Sequence, residues 1–301
     1  MSSTTRFNVP DTWWRRNQMA LAPAILLAPA CLLFAVFVVW PICDSLWVSL
    51  HDWDGIKPPV FIGLDNYIEL FSDGTFYTAL INNAFWLIAF MLAPVFGLAL
   101  ALFLNQAVFG IRLIKALFFF PFVISQVVVG LVFGWFLNSD FGLLNQILAV
   151  FGIPGVNILG NENWATFGVI LAGLWPQTAY CMILYLTGLT AINPELIEAA
   201  RLDGARGWRL LRHVIIPQLR PATFIAVVVC VVGALRSFDL ISIMTKGGPF
   251  DSSQVLAFYM YQSTFLSFRY GYGAAIATVL FLIMDVYIAF FLTSLLRRER
   301  R

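Results

Sequence analysis

Three ionisable side chains stand inside apolar runs of this 301-residue chain: Arg236, Asp239 and Asp285. A charge in a membrane-length apolar helix is costly, so such a group is paired or faces a hydrated interior. Arg236 and Asp239 are one helical turn apart, which predicts an internal ion pair. Turned instead toward a hydrated cavity, the guanidinium would suit an anionic group of a solute through bidentate hydrogen bonds. A second set, Trp175, Gln177 and Tyr180, lies in "LWPQTAYC". Aromatic rings stack on the apolar C–H face of a sugar and amides bind its hydroxyls; the same rings also suit packing between helices. Pro176 frees a backbone carbonyl and can kink its helix where a neighbour or cavity resatisfies it. Trp175, Gln177, Tyr180, Arg236 and Asp239 are therefore the expected solute path.

Other chemistry is poorly supplied. The chain has no HExxH, no GxSxG and no paired-aspartate cluster, which counts against an intramembrane enzyme. It lacks GxxxxGK[ST] and any other phosphate-cradling loop, so ATP hydrolysis is not expected of it. Cys31, Cys43, Cys181 and Cys230 form no CxxC pair and suggest neither a disulfide framework nor a thiolate metal site. His51 and His213 are distant in sequence and fall on opposite sides of the membrane, so no metal centre is expected.

The elements that must carry these residues follow from hydropathy. Only 11% of residues are charged and 60% are hydrophobic; mean hydropathy is +0.85. Apolar runs of ~20 residues, enough for a helix to cross a ~30 Å hydrocarbon layer, recur along the chain. Six spans are predicted, about Met19–Trp40, Ala84–Leu104, Ala116–Leu137, Trp164–Leu189, Ala222–Thr245 and Ala274–Leu296: an all-α integral membrane protein. One membrane domain over 19–296 lies between an N-terminal segment, 1–18, and a basic tail, 297–301. Within 1–18, Trp13 and Trp14 suit a short helix at headgroup level.

Basic residues alternate with acidic ones between the spans. Arg6, Arg15 and Arg16, then Arg112 and Lys115, then Arg201 to Arg220, then Arg297 to Arg301 fall on one side. The other side holds Asp52, Asp54, Asp65, Glu69, Asp73, Asp140, Glu162 and Asp251, with only Lys57, Lys246 and Arg269. The positive-inside bias makes both termini and the loop 191–221 cytoplasmic. The first outer loop, about Ile42–Asn83, is acidic and rich in turn residues. In the second, Leu143, Leu144, Ile147, Leu148 and Phe151 recur at helical spacing, predicting an amphipathic helix on the outer surface. Both suit a transient soluble partner.

The segment "EAARLDGARGWRLLRHVIIPQLRP", Glu198–Pro221, crowds five arginines into a short cytoplasmic stretch. Asn193-Pro194-Glu195 is a helix start: a capping side chain, proline at the first position and an acid in the first turn. Gly204 should stop that helix in a left-handed conformation. A second helix is predicted from about Arg206 to Ile215, with Arg206, Arg209 and Arg212 on one side and Trp208, Leu211 and Ile215 on the other. A basic loop resting on anionic lipid would account for the arginines. It leaves unexplained the small residues Ala199, Ala200, Gly204 and Ala205, which admit the close approach of another protein.

Glu198-Ala199-Ala200, Asp203-Gly204-Ala205, Ile216-Pro217 and Pro221 closely resemble the "EAA…DGA…I-LP…P" segment of binding-protein-dependent ABC permeases. "FIGLDNYIELF" with Phe76 and Asn82, "FDLISIMTKGGP" and "YGYGAA" resemble the carbohydrate-uptake subgroup, with its maltose, glycerol-3-phosphate and α-glucoside permeases. Leu211 departs from a position where the family often has an aromatic. The resemblance implies a type I ABC importer permease fold in the cytoplasmic (inner) membrane of a prokaryote. It makes Glu198, Ala199, Ala200, Asp203, Gly204 and Ala205 the coupling helix that docks into a cleft of an ATPase. It implies as partners a second, homologous permease, two ATPase subunits carrying ATP and Mg, and a periplasmic or extracellular solute-binding protein. Membrane lipid surrounds the assembly; no nucleic acid, cofactor or metal is expected in this chain. The implied function is import of a sugar or sugar derivative. A secondary transporter or channel would do without the docking segment and usually shows an internal repeat, which is not evident here.

Overall fold

The computed structural model describes residues 13–106 and 109–299, with side chains from Pro23 onward except at 291, 292 and 294–299. Expectations for residues 1–12, Arg300 and Arg301 fall outside the described residues, as do those for the side chains of Trp13, Trp14, Arg15, Arg16, Arg297 and Arg298. Among the described residues, 5 helices are long and apolar enough to cross a membrane: Pro23–Val48, Gly74–Leu104, Ala165–Thr190, Arg220–Met244 and Tyr270–Phe290. A bent pair, Ile111–Val123 and Gln126–Phe136, makes the sixth when counted as one span.

Spans one, two and three change shape, and span five breaks between Leu235 and Asp239. Span one runs on to Val48 instead of ending near Trp40. It passes through a wide turn, Ala35–Val39, in which the Trp40 amide donates to the Ala35 carbonyl. Pro41 comes next, has no N–H and would press on the carbonyl four residues back; the wide turn absorbs that clash. Span two starts at Gly74, ahead of the expected Ala84, because Asp73 caps it by accepting from the Thr75 amide at 2.8 Å. It breaks at Met91–Leu92, where Pro94 again cannot donate. Span three is no straight rod: its halves meet at 97°. Ile124 and Ser125 are extended there, with ψ 142 and 146, and Ser125 Oγ caps the second half through the Val128 amide.

Span four, Ala165–Thr190, continues through Pro176. It is packed closely on both sides. A methyl at Gly97 of span two would lie 2.5 Å from Cys181 Cβ. The benzo edge of Trp86 covers Gly173, and Leu219 covers Gly188. These missing side chains let spans two, four and five meet backbone to backbone and bury a core that includes Trp86, Phe90, Ala101, Val169, Met182 and Ala226.

The outer region is built on asparagines and one carboxylate. His51–Asp52 pairs antiparallel with Val60–Phe61, and Asn66 Nδ2 donates to the carbonyls of Ser49 and His51 at 2.9 and 3.0 Å. Asn82 Nδ2 donates to the Ser252 and Gln254 carbonyls at 2.7 and 2.8 Å. Asn83 Oδ1 accepts from the Leu256 amide at 2.9 Å, and its Nδ2 donates to the Ala234 carbonyl. These bonds fix the connection between spans five and six onto span two. Asp73 accepts from the hydroxyls of Tyr259 and Tyr272. Partial burial opposes its ionisation, but the hydrogen bonds from Tyr259, Thr75 and Tyr272 outweigh this and hold the carboxyl below the usual carboxylate range. Beside it Arg269 grips Glu69 through two bonds of 2.8 and 2.5 Å. The second outer segment forms the expected helix, Leu143–Val150. Asn145 bolts it down by donating to the Val156 carbonyl and accepting from the Val156 amide, each at 2.9 Å.

Candidate functional sites: an arginine-rich elbow and a membrane cavity

The elbow begins as expected. Asn193 Oδ1 accepts from the Glu195 amide at 3.0 Å, Pro194 holds the first helical position, and the helix runs Pro194–Leu202. Its end is a full Schellman turn. Gly204 has φ 85; the Ala205 amide reaches the Ala200 carbonyl at 2.9 Å and the Gly204 amide the Arg201 carbonyl at 3.1 Å. A second glycine shapes the turn. Gly207 has φ 51 and ψ -124, a conformation in which a side chain is strained, and it immediately precedes Trp208. Gly207 was not singled out by sequence spacing, although its position between a helix stop and an aromatic is a turn signal.

The expected helix from Arg206 to Ile215 is shorter and irregular. Trp208–Leu210 is one helical turn, followed by a wide turn over Leu211–Ile215. Pro217 follows that wide turn as Pro41 follows the one in span one, with the same consequence for the hydrogen-bond ladder. Ile192, Leu210 and Leu219 are buried and anchor the elbow to the ends of the spans. Its other face is bare: Glu198, Ala199, Asp203 and Gly204 are exposed, flanked by Leu202, 90% exposed, and Trp208, 67% exposed. Small residues, two carboxylates and two uncovered apolar side chains at a loop tip are suited to contact with another chain. Leu202 belongs to that face and is missed by a search for charge and small residues alone.

The second site lies in the membrane. Gln177, Arg236 and Asp239 line one cavity of about 340 Å³, together with Trp86, Phe90 and Gln126. Arg236 and Asp239 do not pair, contrary to the expectation from their spacing. Among the described residues the ion pairs are Lys57–Asp54 and Arg269–Glu69. The cause is local: span five's first helix ends at Leu235, Phe238 has φ -130, and a new helix starts at Asp239. The continuous turn that would stack the two side chains is absent.

Trp175 and Tyr180 are not part of this cavity. Trp175 is ~200° around the helix from Gln177 and lies 5.7 Å from Phe133, in an apolar recess between spans two, three and four. Tyr180 packs its ring 5.1 Å from Phe122. Gln126 enters the cavity because the break in span three places it at the start of the second half-helix; a straight span conceals this. Gln177 Nε2 donates to Cys230 Sγ at 3.3 Å, and the free thiols of Cys181 and Cys230 stand 3.6 Å apart behind the wall. Asp285 is exposed in span six and has no ion pair or hydrogen bond among the described residues.

Residues 85–301 match the model of the family described as binding-protein-dependent transport system inner membrane component. A probable ABC transporter permease protein, YurN of Bacillus subtilis, is 38% identical over 275 residues, covering 89% of this chain and 93% of that protein. The trehalose/maltose transport system permease protein MalF of Thermococcus litoralis is 31% identical over 281 residues, covering 91% and 94%. The fold resembles that of a chain in the crystal structure of a bacterial ABC transporter involved in the import of the acidic polysaccharide alginate. The TM-score is 0.81 at 22% identity, covering 96% of this chain and 99% of that one.

Proposed function

Because the chain belongs to the binding-protein-dependent transport system inner membrane component family, we propose that it is the permease subunit of an ATP-driven importer for a sugar or sugar derivative. Its fold is the six-span type I permease fold. The solute class is supported by relatives such as the trehalose/maltose permease and by a cavity whose aromatic and amide walls suit hydroxylated rings. The elbow carries the functional reading. Glu198 to Ala205 form a rigid, bare, small-residue tip set on the cytoplasmic side by the arginines around it, and such a tip serves to receive force from another chain. ATP and Mg then belong to an ATPase subunit docked on Glu198, Ala199, Ala200, Asp203, Gly204 and Ala205. A second permease completes the pathway, and a solute-binding protein docks on the outer loops. The domain division follows: a membrane unit over 19–296 in the inner membrane, with cytoplasmic ends 1–18 and 297–301.

The test is Glu198→Lys in the assembled importer. Glu198 is exposed and has no hydrogen bond or ion pair among the described residues, so folding and insertion should be unchanged within about 0.5 kcal/mol. Reversing a charge at a docking face should cost about 2–5 kcal/mol of association. Uptake and co-purification of the ATPase should both be lost. Normal uptake by this variant would remove the elbow from the coupling role.

A further inference from the structure

The cavity that the transport reading makes the solute path has an uneven supply of polar groups. Its polar side chains are Arg236, Asp239, Gln126, Gln177 and Ser237, with Arg236 the cation among them. Gln177 already donates to Cys230 Sγ and Ser237 to the Gly233 carbonyl. Among the described residues Arg236 has no ion pair, since the helix break separates it from Asp239. Arg236 and Asp239 are both exposed, beside Trp86, Phe90 and Phe238 of the same cavity, so a solute entering it meets the guanidinium directly.

We propose that the solute is an acidic sugar derivative, a hexose carrying a carboxylate, phosphate or sulfonate, and that Arg236 holds the anionic group through its two-pronged guanidinium. This rests on the transport reading and extends it to a substrate class. Asp239 has a complementary role. Its carboxylate accepts from ring hydroxyls, as the amides of Gln126 and Gln177 both donate to and accept from them. The two charges then contact different parts of one solute, which accounts for their sharing a cavity without touching. A neutral oligosaccharide leaves the guanidinium unpaired and gains no comparable contact.

The experiment uses the complete importer in vesicles, with its binding protein outside and ATP inside. The labelled probes are a hexuronate, a hexose phosphate, a hexose sulfonate and the neutral hexose. The wild type should take up at least one acidic probe at least tenfold faster than the neutral hexose. Arg236→Gln should lower that uptake by about ten- to a hundredfold, the range for losing a charge-assisted bidentate contact. Arg236→Lys, which keeps the charge but not the fork, should fall between them. Both variants should still co-purify with the ATPase and the second permease, which separates solute recognition from misassembly. Uptake of the neutral hexose at the acids' rate, or acid uptake undiminished in Arg236→Gln, overturns the inference and leaves the permease reading standing. A wild type that neither binds an ATPase nor moves any probe overturns both.

Discussion

Gly97 and Gly134 are both helical glycines, and the structure gives their alanine variants opposite signs. At Gly97 the added methyl would stand 2.5 Å from Cys181 Cβ, 2.8 Å from the Met182 nitrogen and 2.9 Å from the Cys181 carbonyl carbon. Two of these are backbone atoms, so no rotamer change relieves the overlap. Carbon atoms sit comfortably at ~3.5–4 Å; spans two and four must therefore part by about 1 Å along their contact. Overpacking of this kind costs about 1–3 kcal/mol, beyond the ~1 kcal/mol that alanine returns through helix propensity. At Gly134 nothing lies within 4 Å of the methyl, and only the propensity gain remains. Thermal unfolding of the purified permease complex should place Gly97→Ala several degrees below the wild type and Gly134→Ala at or above it. Uptake should follow, because span two carries Trp86 and Phe90 and span four carries Gln177, which line one cavity. Equal stability of the two variants would refute the close-packing account.

The outer staple is pH-sensitive in one direction. Asp73 has a depressed folded-state pKa, so its contribution is full above the unfolded value near ~3.9 and is lost as pH falls through the folded value. Melting between pH 6 and pH 3 should show wild-type stability falling below about pH 4, and Asp73→Asn starting ~1 kcal/mol lower with a flatter profile; parallel profiles would exclude the staple. In the elbow, Gly207→Ala should disturb coupling more than Gly204→Ala. The backbone of Gly207, φ 51 with ψ -124, costs an alanine about 1–3 kcal/mol, whereas φ 85 at Gly204 lies nearer the left-handed well, at about 1–2 kcal/mol. Solute-stimulated ATP hydrolysis ranks the two, and the reverse order would contradict the turn geometry.

Much of this architecture was legible before any coordinates, and the reasons are local. A cap at Asn193, a proline at Pro194 and a glycine at Gly204 dictate backbone conformation within a few residues, so the first elbow helix appears where spacing puts it. Membrane-length hydropathy likewise places the spans, and helical spacing the Leu143–Val150 helix. What spacing conceals is interruption. Arg236 and Asp239 look stacked only if span five is a continuous helix, and Gln126 looks remote only if span three is straight. Both depend on where an apolar run is broken by packing, which residue types signal weakly. Trp175 and Gln177 show the complementary error: adjacency along the chain grouped side chains that the 3.6-residue turn sends to different faces. The polar partners of Asn82 and Asn83 are Thr166 and residues beyond 230, and no local rule connects them.

Those two asparagines have a mechanical consequence. Asn82, Trp86 and Phe90 follow one another at four-residue steps, so they form a single stripe along one face of span two. At the top of that stripe Asn82 is bonded to the Ser252 and Gln254 carbonyls, and the adjacent Asn83 holds the Leu256 amide; lower down, Trp86 and Phe90 wall the cavity. The outer connection and the cavity wall are thus two ends of one stiff lever. On the proposed transport reading, a partner docked on the outer connection would act on the helix itself, and the aromatic rings of the cavity would move with it.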